Sequence, residues 1–264
     1  MSKASREKYR VEPFPYMRRF SIDAGYLARK RNTMHGLLEF DVTRARQLIH
    51  AHQERTGEKL SFTAFIVACL AQAAAAFPEV QAYRNWRSQL IIYEDCNINT
   101  MVEIEQDGRK IAMPYIILAA NKKTFRQVND EIRQAQRETT ATPAGGFMTW
   151  FLRLPAFLRH MFYAVFYGFP QLMRPFSSSV LLSSVGMFGK GSGWGLPGAN
   201  FPLMVTLGGI AEKPGVVDGK IEVREYLCVT LSFDHDIIDG APAARFTQKF
   251  KELVESAYGF EEGL

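Results

Sequence analysis

LSFDHDIIDGAPAARF, residues 231–246, is the stretch on which the reading of this 264-residue chain turns. A β-rich run, IEVREYLCVTLSF, ends at His235. Asp239 and Gly240 follow four and five residues later, just before a helix that begins near Pro242, an acceptable first-turn residue. A histidine at the end of a buried strand has its ring held by backbone hydrogen bonds. Its pKa can sit near neutrality, which suits a general base. As a bare pattern, H-x-x-x-D-G also suits a surface histidine beside an Asx turn, so the rest of the chain has to decide.

Working outward, Phe246, Phe250, Leu253 and Val254 give the last helix an apolar stripe. Upstream, a turn at Asp218-Gly219 links the long strand to LMVTLGGIA (203–211), and VLLSSVG (180–186) reads as another buried strand. TFRQVNDEIRQAQRE (124–138) is a polar helix. Leu90 to Leu118 reads as strands: LIIY, then NINTMVEIE and KIAMPYIIL around a turn at Asp107-Gly108. FTAFIVACLAQAAAAF, capped by Ser61 and stopped by Pro78, is apolar nearly all round and therefore a buried helix. Before it stand a strand, GLLEFDV (36–42), and a helix from Thr43 with Ala45, Leu48, Ile49 and His52 at helical spacing. Strands separated by helices, with long antiparallel hairpins, predict an α/β two-layer sandwich: one mixed sheet covered by helices.

Composition narrows the function classes. Apolar residues make up 47% of the chain and charged residues 22%, a globular balance that excludes a disordered or fibrous protein. A net charge of +5 suits an anionic ligand or surface and does not call for nucleic acid. Cys69, Cys96 and Cys228 stand far apart, without a CxxC pair or zinc-site spacing, so they read as free buried thiols. The charged N-terminus lacks a secretory apolar run, and a cytoplasmic location is expected. Residues 1–34 read as a basic, solvated arm and 35–264 as one folded domain. GKGSGWGLPG (189–198) lacks the Lys-Ser/Thr ending of a P-loop and reads as a connecting loop.

The motif stretch resembles the active-site segment of the dihydrolipoamide acyltransferase catalytic domain of 2-oxo acid dehydrogenase complexes, and more distantly that of chloramphenicol acetyltransferase. The family pattern is D-H-R-x-x-D-G, and Asp234, His235, Ile237, Ile238, Asp239 and Gly240 stand in place here. LSSVGMFG (182–189) resembles the family's TISNLGMFG strand and loop, which puts Ser183 on the hydroxyl position that faces the histidine. GLLEFDVTRARQLI, residues 60–82 and the hairpin before residue 124 resemble three further family blocks. There are departures. Asp236 replaces the usual Arg, Ser184 the usual Asn, and SSSVL the usual G-G-T-F-T.

The resemblance makes residues 35–264 the catalytic domain and implies a chloramphenicol acetyltransferase-like fold and direct acyl transfer from an acyl-CoA. His235 is then the base, Ser183 the oxyanion donor and Asp239 a structural carboxylate paired with a cation, Arg18 or Arg19. Those two arginines are also the candidates for holding coenzyme A, with Arg29, Lys30 and Arg31 beside them. The resemblance further implies a homotrimer, extending to a cage of trimers, with active sites at subunit interfaces. No lipoyl domain, linker or subunit-binding segment is recognised in the chain. The expected acceptor is therefore a dihydrolipoyl-type thiol presented by another protein, such as a lipoyl-bearing or dehydrogenase component, or a free small molecule. Two other readings stand beside this one: an inactive scaffold that keeps the fold for assembly, and a membrane-associated transferase with a lipid-like acceptor.

Residues 147–176 motivate the last of these. They hold ten of the chain's 33 aromatics, and no acidic residue occurs between Glu138 and Glu212. This aromatic insert stands where the family has a short loop. Its longest uncharged run, His160 to Met173, is 14 residues, short of the ~20 that span a bilayer. Three roles fit it: packing on its own or a neighbouring subunit, lying in an anionic membrane surface, or covering the acyl pocket.

Overall fold

The computed structural model describes residues 10–15, 18–106, 109–137, 150–174, 177–186 and 191–260. The strands are β1 (Thr33–Asp41), β2 (Tyr83–Arg84), β3 (Leu90–Ile91), β4 (Ile98–Gln106), β5 (Arg109–Ile117), β6 (Val180–Ser184), β7 (Leu203–Val217) and β8 (Lys220–Asp234). Six of them form one mixed sheet in the order β1-β8-β7-β6-β4-β5. β4, β6 and β7 run parallel as neighbours, and the other pairings are antiparallel. β2 and β3 form a separate two-stranded ladder, so LIIY contributes only Leu90 and Ile91 and does not join the main sheet. The turn expected at Asp107-Gly108 lies outside the described residues.

The helices are α1 (Arg18–Ala28), α2 (Thr43–Thr56), α3 (Phe62–Ala76), α4 (Phe125–Arg137), α5 (Ala156–Gly168), α6 (Pro170–Met173) and α7 (Gly240–Glu255). Ser61 caps α3 by accepting a hydrogen bond from the Ala64 N–H at 3.3 Å. Ten of the fifteen α3 residues are buried, because α4 and α7 flank it over the sheet. α4 contributes Phe125, Val128, Asn129 and Ile132; α7 contributes Ala243, Phe246, Phe250, Leu253 and Val254. Both sets follow the helical period and meet Leu182, Val205 and Leu231 from three adjacent strands in one core. Each fully buried Phe of this kind stabilises by about 1.5–3 kcal/mol.

Side chains alternate across the sheet, so the register fixes what the other face carries. Leu182, Val205 and Leu231 face the core, and the next positions, Ser183, Thr206 and Thr230, form a cross-strand row on the opposite side. A register shift between Leu207 and Ile210 bends β7 at Gly208-Gly209, and the 191–198 loop lies against that bend. The Gly209 N–H donates to the Gly193 carbonyl at 3.0 Å. A Cβ on Gly208 would stand 1.9 Å from the same oxygen, so no other residue fits there. Asp218 (φ 49°) and Gly219 (φ 77°) make the tight turn between β7 and β8.

Two expectations change. β1 starts at Thr33, so the 34/35 division falls inside a strand. The basic arm is also more than a solvated tail, since α1 buries Asp23 and Leu27. The carboxylate of Asp23, 1% exposed, takes a two-pronged ion pair from Arg159 of α5 at 2.7 and 2.9 Å. Tyr26 stacks on His160 with centroids 3.7 Å apart, and Arg19 donates to the Leu152 carbonyl at 2.9 Å. The described part of the aromatic insert is thus lashed to α1. Phe147 and Phe176 lie outside the described residues.

Candidate active site

β8 ends at Asp234, and His235 is the first residue past it, with its side chain 47% exposed. The loop is fixed mainly through its backbone. The His235 N–H donates to the Asn32 carbonyl at 2.7 Å, and the Ile237 and Ile238 N–H groups donate to the Asp234 carbonyl, both at 3.1 Å. The Asp236 N–H donates to the Asp234 carboxylate at 3.2 Å, an Asx turn, and Ile238 plugs the loop into the core at 4% exposure. The other oxygen of Asp234 pairs with Arg31, and both side chains are nearly buried. Arg31 lies over the Tyr167 ring, 5.2 Å from its centroid.

Asp239 occupies the N-cap position of α7 without a side-chain capping bond. Its carboxylate stands 3.8 Å from Nδ1 of His235: an ion-pair distance, longer than a hydrogen bond. The expected pairing of Asp239 with Arg18 or Arg19 is not found. The Asp239 side chain is 88% exposed, Arg18 is exposed, and Arg19 is spent on the Leu152 carbonyl. The buried ion pair of the motif is Arg31–Asp234 instead. Arg31 therefore braces the loop and is not left free for coenzyme A. A charged residue at the buried end of a strand needs a counter-charge, and that was the signal in the sequence for this pair.

Ser183 does not meet His235 within one protomer. Ser183 is level with Thr206, and Thr206 with Thr230, two strand spacings across. His235 lies five residues further along β8. At ~4.8 Å per strand and ~3.3 Å per residue, the two Cα atoms are about 19 Å apart.

Beside the histidine loop is a cleft of about 220 Å³ between α1, α5 and β2. Its walls include Tyr83, Tyr163 and Tyr167, whose hydroxyls are turned to partners outside it. Tyr83 donates to the Ser178 carbonyl at 2.9 Å, Tyr163 to Asp23 at 3.4 Å and Tyr167 to the Asn200 carbonyl at 3.1 Å. Burial pushes all three phenols above their ordinary value, so they remain protonated donors. Among the described residues no group of three or more His, Cys, Asp or Glu is placed to hold a metal, and no helix is long and apolar enough to cross a membrane.

A mixed six-stranded sheet backed by helices, with a histidine loop at the end of its longest hairpin, defines an acyltransferase-like fold. The chain belongs to the 2-oxoacid dehydrogenases acyltransferase (catalytic domain) family, whose model matches residues 8–144 and 177–260 and passes over the aromatic insert. It is 26% identical over 258 residues to the dihydrolipoyllysine-residue acetyltransferase component of the pyruvate dehydrogenase complex of Staphylococcus aureus. That match covers 93% of this chain and 51% of the relative, so the chain spans about half the length of that relative. Against the dihydrolipoyllysine-residue succinyltransferase component of the human mitochondrial 2-oxoglutarate dehydrogenase complex it is 42% identical over 76 residues, 28% of this chain and 16% of that one. Among solved structures, a probable dihydrolipoamide acetyltransferase from Listeria monocytogenes superposes with a TM-score of 0.69 at 20% identity, covering 95% of this chain and 96% of the other. The expected fold class is thereby confirmed.

Proposed function

We propose that the chain catalyses acyl transfer between coenzyme A and a dihydrolipoyl-type thiol, at a site completed by a second subunit. The observation that carries this reading is the placement of His235 on a backbone-anchored loop with an accessible ring. In the reaction the imidazole takes the proton of the attacking thiol, and the sulfur adds to the thioester carbonyl. The tetrahedral intermediate then collapses and expels the coenzyme A thiolate, which recovers the proton from the imidazolium. A positioned base of this kind contributes ~10²–10⁴ in rate. Asp239, four residues on, sets a negative charge 3.8 Å from Nδ1, and its effect is modest because both groups are exposed in one protomer.

Ser183 serves as the oxyanion donor from the neighbouring subunit, because its own His235 is about 19 Å away. A structure of the Azotobacter vinelandii dihydrolipoamide acetyltransferase, similar in fold at 18% identity, was determined to examine a serine, a histidine and an asparagine in that protein's mechanism. The serine stands 52 residues before the histidine and the asparagine four after it. Ser183, His235 and Asp239 have the same spacing, which supports the assignment, with a carboxylate here in place of the amide.

Two apolar surfaces fit subunit contacts in the homotrimer that the family resemblance implies. β1 pairs with β8 only as far as Tyr226, so residues 212–225 project as a two-stranded ribbon. Its cross-strand neighbours Val216 and Ile221 are 77% and 79% exposed. On α5, Phe157, Met161 and Val165 form an outward stripe at i, i+4 and i+8. Soluble proteins rarely leave such patches uncovered.

The test is thioester exchange between acetyl-CoA and dihydrolipoamide. His235→Ala should abolish transfer with assembly intact, and Ser183→Ala should slow it by ~10²–10³. Mixing the two variants after verified subunit exchange should restore activity through trimers that hold one intact composite site. More than a tenth of wild-type turnover in His235→Ala would refute the base assignment.

A further inference from the structure

The aromatic cleft is the feature that the acyl-transfer reading leaves unused. One wall comes from α5, in residues the family model passes over, so that wall belongs to this chain and not to the shared catalytic frame. The opposite wall includes Asp236 and Ile237, the two residues after His235. Their Cα atoms lie at most about 3.8 and 7.6 Å from that of His235. A group seated here lies beside the loop that carries His235, where the reacting end of a thioester is expected.

The lining says what kind of group this is. The Tyr26–His160 stack, interplanar angle 5°, and the rings of Tyr163 and Tyr167 make the lining largely aromatic, with Lys30 over Tyr26 and Arg31 over Tyr167. Charge is close to balanced: Lys30, Arg31 and Arg84 share the lining with Asp234 and Asp236; Arg31 is paired with Asp234, and Lys30 sits over the Tyr26 ring at 4.4 Å. A cavity of about 150 Å³ is enough to hold benzene, and this cleft offers about 220 Å³. That is well beyond an acetyl group and suits a phenyl ring with its linker.

Resting on the acyl-transfer reading, we propose that this cleft is the acyl pocket and that it selects an aryl or arylalkyl acyl thioester. Two aromatic contacts of ordinary strength amount to roughly tenfold in affinity. Calorimetric titration of the intact protein should therefore show phenylacetyl-CoA binding about tenfold tighter than acetyl-CoA. Ala164→Trp, which fills the cleft from the α5 side, should erase that difference by weakening phenylacetyl-CoA much more than acetyl-CoA. Ala164→Leu, a smaller change, should narrow it and keeps the test available if the larger variant fails to fold. Equal affinity for the two thioesters in the wild-type protein would overturn the proposal. So would a parallel loss of both in the variants, which would mean that the cleft holds coenzyme A itself. Tighter binding of succinyl-CoA than of phenylacetyl-CoA would overturn it in favour of an anionic acyl group. Phenylacetyl-CoA bound with the expected preference but never transferred to dihydrolipoamide would uphold the pocket and refute the acceptor assignment.

Discussion

Replacing Arg159 by Met should be among the most damaging single changes in the insert, and the structure sets the size of the effect. In the wild-type protein the carboxylate of Asp23 takes both prongs of the Arg159 guanidinium at 2.7 and 2.9 Å, with the Tyr163 hydroxyl at 3.4 Å and His160 Nε2 at 3.8 Å. Asp23 is 1% exposed, so without Arg159 its charge cannot turn to water. Removing one partner of a buried pair costs about 3–5 kcal/mol, against less than about 1 for an exposed pair. For a chain near this size that is a fall in Tm of roughly 6–20 °C. The control is Asp23→Leu in the Arg159→Met background. It removes the stranded charge and should recover most of the loss, since a buried ion pair replaced by apolar groups of similar volume is often neutral. Urea unfolding of the wild type, single and double variants measures this, and hydrogen exchange at the α1 amides reports the local part. A single variant within about 1 kcal/mol of wild type, or a double variant no better than the single, would refute the reasoning.

Other outcomes follow from individual sites. Arg31→Met strands the nearly buried Asp234 beside His235, and turnover should fall more than about tenfold with folding intact by circular dichroism; Arg31→Lys should recover part of it. Cys69, Cys96 and Cys228 are free and buried, and burial pushes the Cys69 thiol well up and that of Cys96 to about 12, so none should react with a thiol reagent at pH 8 until denaturant is added. Burial raises the Asp41 carboxyl, but hydrogen bonds from Thr43 and Arg224 outweigh it and hold it below its ordinary value. Its contribution is therefore complete above the unfolded value near ~4 and lost as pH falls through the folded one, and Thr43→Ala should move the acid-unfolding midpoint to higher pH. Ile221→Glu on the β7–β8 ribbon should dissociate the assembly in mass photometry. Co-sedimentation of the intact protein with anionic vesicles would instead assign the α5 stripe to a membrane surface.

The helices and most strands were legible because their periods are written locally. The stripe Phe246, Phe250, Leu253 and Val254 and the Ser61 cap each need only a few neighbouring residues to be read. β7 was harder. Its Pro214 and Gly215 look like strand breakers, yet they lie in the ribbon beyond the last β6 partner, Leu207, where no third strand needs their backbone groups. His235, Asp239 and Ser183 were marked by the motif, but their separation depends on register, a property of the sheet and not of any one segment. The aromatic insert was conspicuous in composition, whereas its docking was not, because Asp23 and Arg159 are 136 residues apart. A trace was present all the same. Asp23 is the one acid between Glu12 and Glu39, and Arg159 stands in an acid-free aromatic run; each needed a partner from elsewhere.

That long-range pair changes what the insert is. α5 holds α1 through Asp23, and α1 leads directly into Arg31 and Asn32. Arg31 clamps Asp234 by its side chain, and Asn32 takes the His235 N–H on its carbonyl. Tyr167 of α5 closes the circuit by supporting Arg31. The histidine loop thus rests on residues contributed by the α1–β1 connection, which rests in turn on the insert. Deleting 147–174 would remove Arg159 and Tyr167 together, strand Asp23 and unbrace the loop, so lost activity in such a deletion would say nothing about acyl choice. Ala164 lies on α5 but belongs to neither clamp. Substitutions there can alter the cleft while leaving the support of His235 in place, which separates the insert's part in shaping a substrate from its part in holding the catalytic loop.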